Sequence, residues 1–60
     1  MNAYTVLFDA FDADGEFVGE RTVTVPAGSV TQAMVEAEAT LTQLNPALDY
    51  VGGYVEEAAQ

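Results

Sequence analysis

The chain has 60 residues, half of them hydrophobic, with ten acidic side chains against a single Arg and a formal net charge of −9. That balance argues against direct binding to nucleic acid or to an anionic membrane, since both are polyanions that need Lys and Arg. The lack of cysteine and histidine removes disulfides, thiolate metal sites, the commonest zinc ligand and the commonest general base.

Sixty residues make one domain, 1–60, near the lower limit for folding without staples. The hydrophobic content argues against disorder despite the charge. No apolar run approaches the ~20 residues that span a bilayer, and the N-terminus lacks the basic region of a signal peptide. The expected location is cytoplasmic.

From Tyr4 to Val25 apolar and polar residues alternate about a turn signal at Asp14-Gly15, which predicts a β-hairpin. A two-residue loop at Asp14-Gly15 and a four-residue loop from Ala13 to Glu16 both pair Tyr4 with Val25, Val6 with Val23, Phe8 with Arg21 and Ala10 with Gly19. Tyr4, Val6, Phe8, Ala10, Val23 and Val25 then form an inner face. Thr5, Leu7, Asp9, Phe11, Val18, Glu20, Thr22 and Thr24 form the outer one. A one-residue slip would exchange the two sets. Asp9 and Glu20 face each other on the outer side, an unfavourable like-charge pair that a basic partner or a cation would relieve.

Pro26-Ala27-Gly28 breaks the second strand. Ser29-Val30-Thr31-Gln32 fits a capping box at the start of a helix. Val30, Ala33, Met34, Ala37, Leu41 and Leu44 fall on one helical stripe, and Asn45-Pro46 ends it. The alanines of that stripe are read as allowing close helix–sheet packing, while Val35 lies off it. The helix is about 24 Å long, which matches the ~27 Å of an eight-residue strand.

Leu48 to Glu57 reads as a third strand with a bulge or close backbone approach at Gly52-Gly53; a tight hairpin there is the alternative. Connection rules place this strand beside the first and parallel to it. The predicted fold is α+β, ββαβ, a three-stranded sheet of order 2-1-3 with one helix on one face. This plan resembles a truncated β-grasp, and its hairpin-plus-helix start is similar in layout to the immunoglobulin-binding domains of protein G.

Asp12-Ala13-Asp14-Gly15 invites comparison with an EF-hand. Aligning Gly15 with the loop glycine puts Ala10 at the first ligand position and Arg21 at the twelfth, where a bidentate Glu is required. No metal and no cofactor is therefore assigned. Ser29 caps a helix and has no His or Lys to activate it, and paired carboxylates need a desolvated cleft that so small a sheet hardly encloses. No catalytic residue is assigned, and the chain is expected not to be an enzyme.

On the outer face Leu7, Phe11 and Val18 are joined by Tyr50 and Tyr54, or by Val51 and Val55. Apolar groups beside a carboxylate rim read as a contact surface. In size, acidity and lack of catalytic groups the chain resembles small phage-encoded anti-defence proteins, including anti-CRISPR inhibitors that mimic DNA. The resemblance implies a non-enzymatic acidic protein that docks on a basic, nucleic-acid-binding surface of another protein and blocks it. Asp9, Asp12, Asp14, Glu16 and Glu20 would make the electrostatic contact, with Glu36 and Glu38 as a second patch and Phe11 as an apolar anchor. The alternative is a homodimeric assembly module, joined through the outer face or a strand edge, whose acidity only serves solubility as in halophile proteins.

Overall fold

The computed structural model describes residues 2–57. Strict alternation makes β1 (Asn2–Phe11) the central strand: Tyr4, Val6, Phe8 and Ala10 are buried, and the residues between them are only partly covered. β2 (Phe17–Ala27) runs antiparallel on one side of it, α1 (Val30–Leu44) crosses one face, and β3 (Asp49–Glu57) lies on the other side. The sheet order is β2-β1-β3, so the ββαβ layout and the strand order are as expected.

The hairpin register is the expected one over most of its length, with Tyr4 opposite Val25, Val6 opposite Val23, Phe8 opposite Arg21 and Ala10 opposite Gly19. The tip differs. The Asp12 N–H donates to the Glu16 carbonyl and the Gly15 N–H to the Asp12 carbonyl, both at 2.9 Å. The loop is therefore three residues, Ala13-Asp14-Gly15, with Gly15 at φ 83 as a left-handed closing residue. This shifts the pairing by one, so that Phe11 faces Phe17. A bulge at Val18, beside Gly19 with φ 134, restores it before Ala10.

Ser29 caps α1 as expected, its Oγ accepting the Gln32 N–H at 3.2 Å. The Gln32 side chain reaches one residue further back than a capping box requires, and its Oε1 accepts the Gly28 N–H at 2.9 Å. Asn45 stops the helix. Its N–H still donates to the Leu41 carbonyl, while its Oδ1 accepts the Ala47 N–H beyond Pro46. Only the middle of the apolar stripe meets the sheet: Ala33, Ala37 and Leu41 are buried and Met34 half-buried, whereas Val30 and Leu44, a turn further out at either end, are exposed.

β3 is one strand, not a hairpin, but it runs antiparallel to β1 rather than parallel. The reason is the length of α1. Fifteen residues return the chain about 22 Å to the hairpin-tip end, where Asp49 pairs with Phe11. β3 is thus parallel to β2, the strand that feeds the helix, and the crossover passes over β1. The likeness to a β-grasp stops at the element order.

Of the strand readings of Gly52-Gly53, the bulge holds. The register shifts there, leaving Gly53 as the unpaired residue. A Cβ at Gly52 would stand 2.6 Å from Met34 Cε and 3.4 Å from Phe8 Cε1, so a side chain there would have to displace the flexible end of Met34. The bulge also changes the phase of β3. Tyr50 and Val55 join the core, Tyr50 meeting Phe8 edge-on with ring centroids 6.3 Å apart. Neither expected outer pair survives: Val51 and Tyr54 share the outer face instead, opposite Asp9 and Leu7.

Candidate functional site

Among the described residues, α1 covers the inner face of the sheet and no element covers the outer one. Residues paired directly across strands point to the same side, which fixes the outer face row by row. From the tip outward, the rows across β2, β1 and β3 are Phe17, Phe11, Asp49; Glu20, Asp9, Val51; Thr22, Leu7, Tyr54; and Thr24, Thr5, Glu56. Rows lie about 7 Å apart and strands about 4.8 Å. The face measures roughly 10 by 20 Å on those spacings.

Its apolar residues run from Phe17 and Phe11 by way of Val51 to Tyr54 and Leu7 on successive rows. Phe11 and Phe17 meet edge-on with centroids 5.7 Å apart. Phe17, Val51 and Tyr54 remain 57%, 55% and 59% exposed, values unlike those of the matching inner positions. Leu7 is half-buried between them. Carboxylates stand on three of the four rows, at Asp49, at Asp9 with Glu20, and at Glu56. The Thr5 and Thr24 hydroxyls hydrogen-bond at 3.0 Å and fill the remaining corner.

Asp9 and Glu20 are direct cross-strand partners, so their Cβ atoms lie about 5 Å apart. Two like charges at that distance cost on the order of 1 kcal/mol in water. The chain's one Arg does not relieve them. Arg21 is opposite Phe8 and so turned to the α1 side. Its Nη1 donates to the Glu20 backbone carbonyl at 2.9 Å and lies over Gly19, where a Cβ would approach to 3.0 Å.

The acidic residues expected to form one contact and a second patch divide into three groups. Asp9 and Glu20 are on the outer face with Phe11. Asp14 and Glu16 are exposed at the tip, but Asp12 is engaged there: its Oδ1 accepts the N–H groups of Asp14 at 2.9 Å and Glu16 at 3.0 Å. Asp12 is therefore a turn former. Glu36 and Glu38 are exposed on α1, on the opposite side of the sheet from Asp9. Glu38 borders a shallow depression with Val35, Ala39, Gln43 and Pro46.

Phe17, Asp49 and Glu56 are not legible as site residues, and Val51 and Tyr54 are legible only as members of alternative pairs. Their signals were the strand glycines, since Gly19 and Gly53 mark the bulges that turn Phe17 and Tyr54 outward. Among the described residues, no group of three or more acidic side chains is placed to hold a metal ion, and no helix is long and apolar enough to cross a membrane. In comparisons with known proteins, the chain matches no family model, no curated protein and no solved structure.

Proposed function

We propose that this chain is a non-enzymatic acidic binding protein that docks on a basic, nucleic-acid-binding surface of another protein and blocks it, in the manner of a DNA mimic or anti-CRISPR inhibitor. The observation that carries the reading is the Asp9–Glu20 pair, two carboxylates held opposite each other on an uncovered, partly apolar sheet face. A cationic partner converts their repulsion into attraction, and the charge of −9 draws such a partner in from a distance. Asp9 and Glu20 stand side by side on neighbouring strands, with Asp49 and Glu56 at the two ends of β3, so the face offers negative charge at three levels where a phosphate backbone would otherwise sit.

The exposed aromatics would equally serve a homodimer, but two copies meeting face to face would bring both Asp9–Glu20 pairs together. That juxtaposition disfavours the homodimer. The testing experiment is affinity capture of proteins at low salt, using the native chain and a D9K/E20K variant, followed by elution with duplex DNA. Capture that is lost in the variant and reversed by DNA supports the reading. Capture that is indifferent to DNA overturns the mimicry.

A further inference from the structure

We infer that the outer sheet face receives one cationic amphipathic helix of the partner protein, lying along the strands. Its apolar stripe would sit on Phe11, Phe17, Leu7 and Tyr54, and its Arg or Lys residues would meet Asp9 and Glu20. The inference rests on the docking reading above and specifies the kind of element that docks.

The argument begins with backbone hydrogen bonds. The amides of β1 are shared with β2 and β3, so the face of the sheet offers side chains only. An extended segment laid across it would leave its own N–H and C=O groups unpaired, which is costly; such a segment belongs at a sheet edge. A helix satisfies its backbone internally and can sit on side chains alone.

Size gives the same answer. Three strands make a face about 10 Å wide, close to the 10–12 Å diameter of one helix. The inner face already shows the fit, since α1 alone covers it with fifteen residues. A partner sheet of ordinary width would overhang on both sides.

Charge then selects the helix. Apolar residues run obliquely from Phe17 and Phe11 across Val51 to Tyr54 and Leu7, with Glu20 and the central Asp9 set into the β2 side of that path and Asp49 and Glu56 on the β3 rim. The complement is a helix with an apolar stripe at i, i+3, i+4 and i+7, bordered by Lys or Arg. A second copy of α1 does not qualify, because it carries Glu36 and Glu38 and no cationic residue.

The test is titration of the ¹⁵N-labelled protein with a synthetic helical peptide bearing a Leu stripe between Lys and Arg residues. A scrambled peptide of the same composition and poly-lysine serve as controls. The expected result is binding of the amphipathic peptide at least about tenfold tighter than the scramble, a difference of ~1.4 kcal/mol, with shifts concentrated at Leu7, Phe11, Phe17 and Tyr54. F17S and Y54S, with unchanged circular dichroism, should each weaken it several-fold. Equal affinity for peptide and scramble overturns the helix while leaving the electrostatic docking reading in place. No salt-sensitive binding by any of the three probes overturns both. Shifts confined to Glu36 and Glu38 overturn the assignment of the face.

Discussion

Phe17 rests edge-on against Phe11, centroids 5.7 Å apart, because the three-residue loop pairs them directly, and the bulge at Val18 then returns the rest of β2 to the core register. With a two- or four-residue loop and no bulge, Phe17 would turn to the inner side. The pair is exposed on the Phe17 side, so it contributes surface more than stability. Replacing Phe17 with Ser should therefore cost no more than the ~0.5–1.5 kcal/mol of an aromatic pair. Phe8, fully buried beneath α1, should cost about 3–5 kcal/mol on change to Ala. Urea denaturation of the two variants checks the contrast, and equal losses would refute the division into core and contact faces.

Gly52 and Met34 should behave as a coupled pair. Gly52→Ala pushes a methyl group against Met34 Cε, an overpacking expected to cost about 1 kcal/mol, at the low end of the usual range because that atom ends a flexible side chain. In a Met34→Ala background that clash is absent. The double variant should be more stable than the sum of the single losses predicts, by about 1 kcal/mol in a double-mutant cycle. Strict additivity would mean that the helix shifts rather than the side chain.

Asp12 and Asp14 are separated by one residue but have different work. Asp12→Ala removes the acceptor of two turn N–H groups and should destabilise by roughly 1–2 kcal/mol. Asp12→Asn keeps the side-chain carbonyl and should recover most of that. Asp14→Ala, exposed at the tip, should fall within about 0.5 kcal/mol of the parent. Thermal melts of the three variants suffice.

Glu20→Lys replaces a like-charge cross-strand pair with an opposite one facing Asp9. The variant should be more stable than the parent by about 0.5–1 kcal/mol at low salt, and the gain should shrink at 1 M salt, where screening acts within ~3 Å. Measuring denaturant midpoints at both ionic strengths separates charge from packing. A gain that persists at high salt would point to the Lys stem instead.

Much of this architecture could be read from residue patterns, and the exceptions have physical causes. Alternation from Tyr4 to Ala10 located the core face, and Ser29 with Asn45-Pro46 bounded the helix to within one residue. The hairpin partners followed from the Asp-Gly turn, even though the loop itself proved to have three residues, because two one-residue offsets cancel. The direction of β3 was misread because the handedness rule concerns parallel strands joined by a crossover. Here those are β2 and β3, not β1 and β3. The candidate face was half legible: Asp9, Phe11 and Glu20 lie on the outer side as alternation expects, whereas Phe17, Val51 and Tyr54 depend on bulges whose side-chain phase alternation alone does not set.

The bulge at Gly53 makes the exposed surface depend on the pairing of one residue. In an unbulged strand with both glycines, Tyr50 and Tyr54 stand four residues apart and would share a side. Leaving Gly53 out of the ladder puts Tyr50 in the core and Tyr54 outside. Deleting one glycine would set the tyrosines three residues apart, and plain alternation would keep each on its present face. Forcing Gly53 into the ladder, with both glycines kept, would instead turn Val55 outward in place of the ring. The choice between ring and aliphatic group therefore rests on whether one glycine pairs, and the strand tolerates its loss.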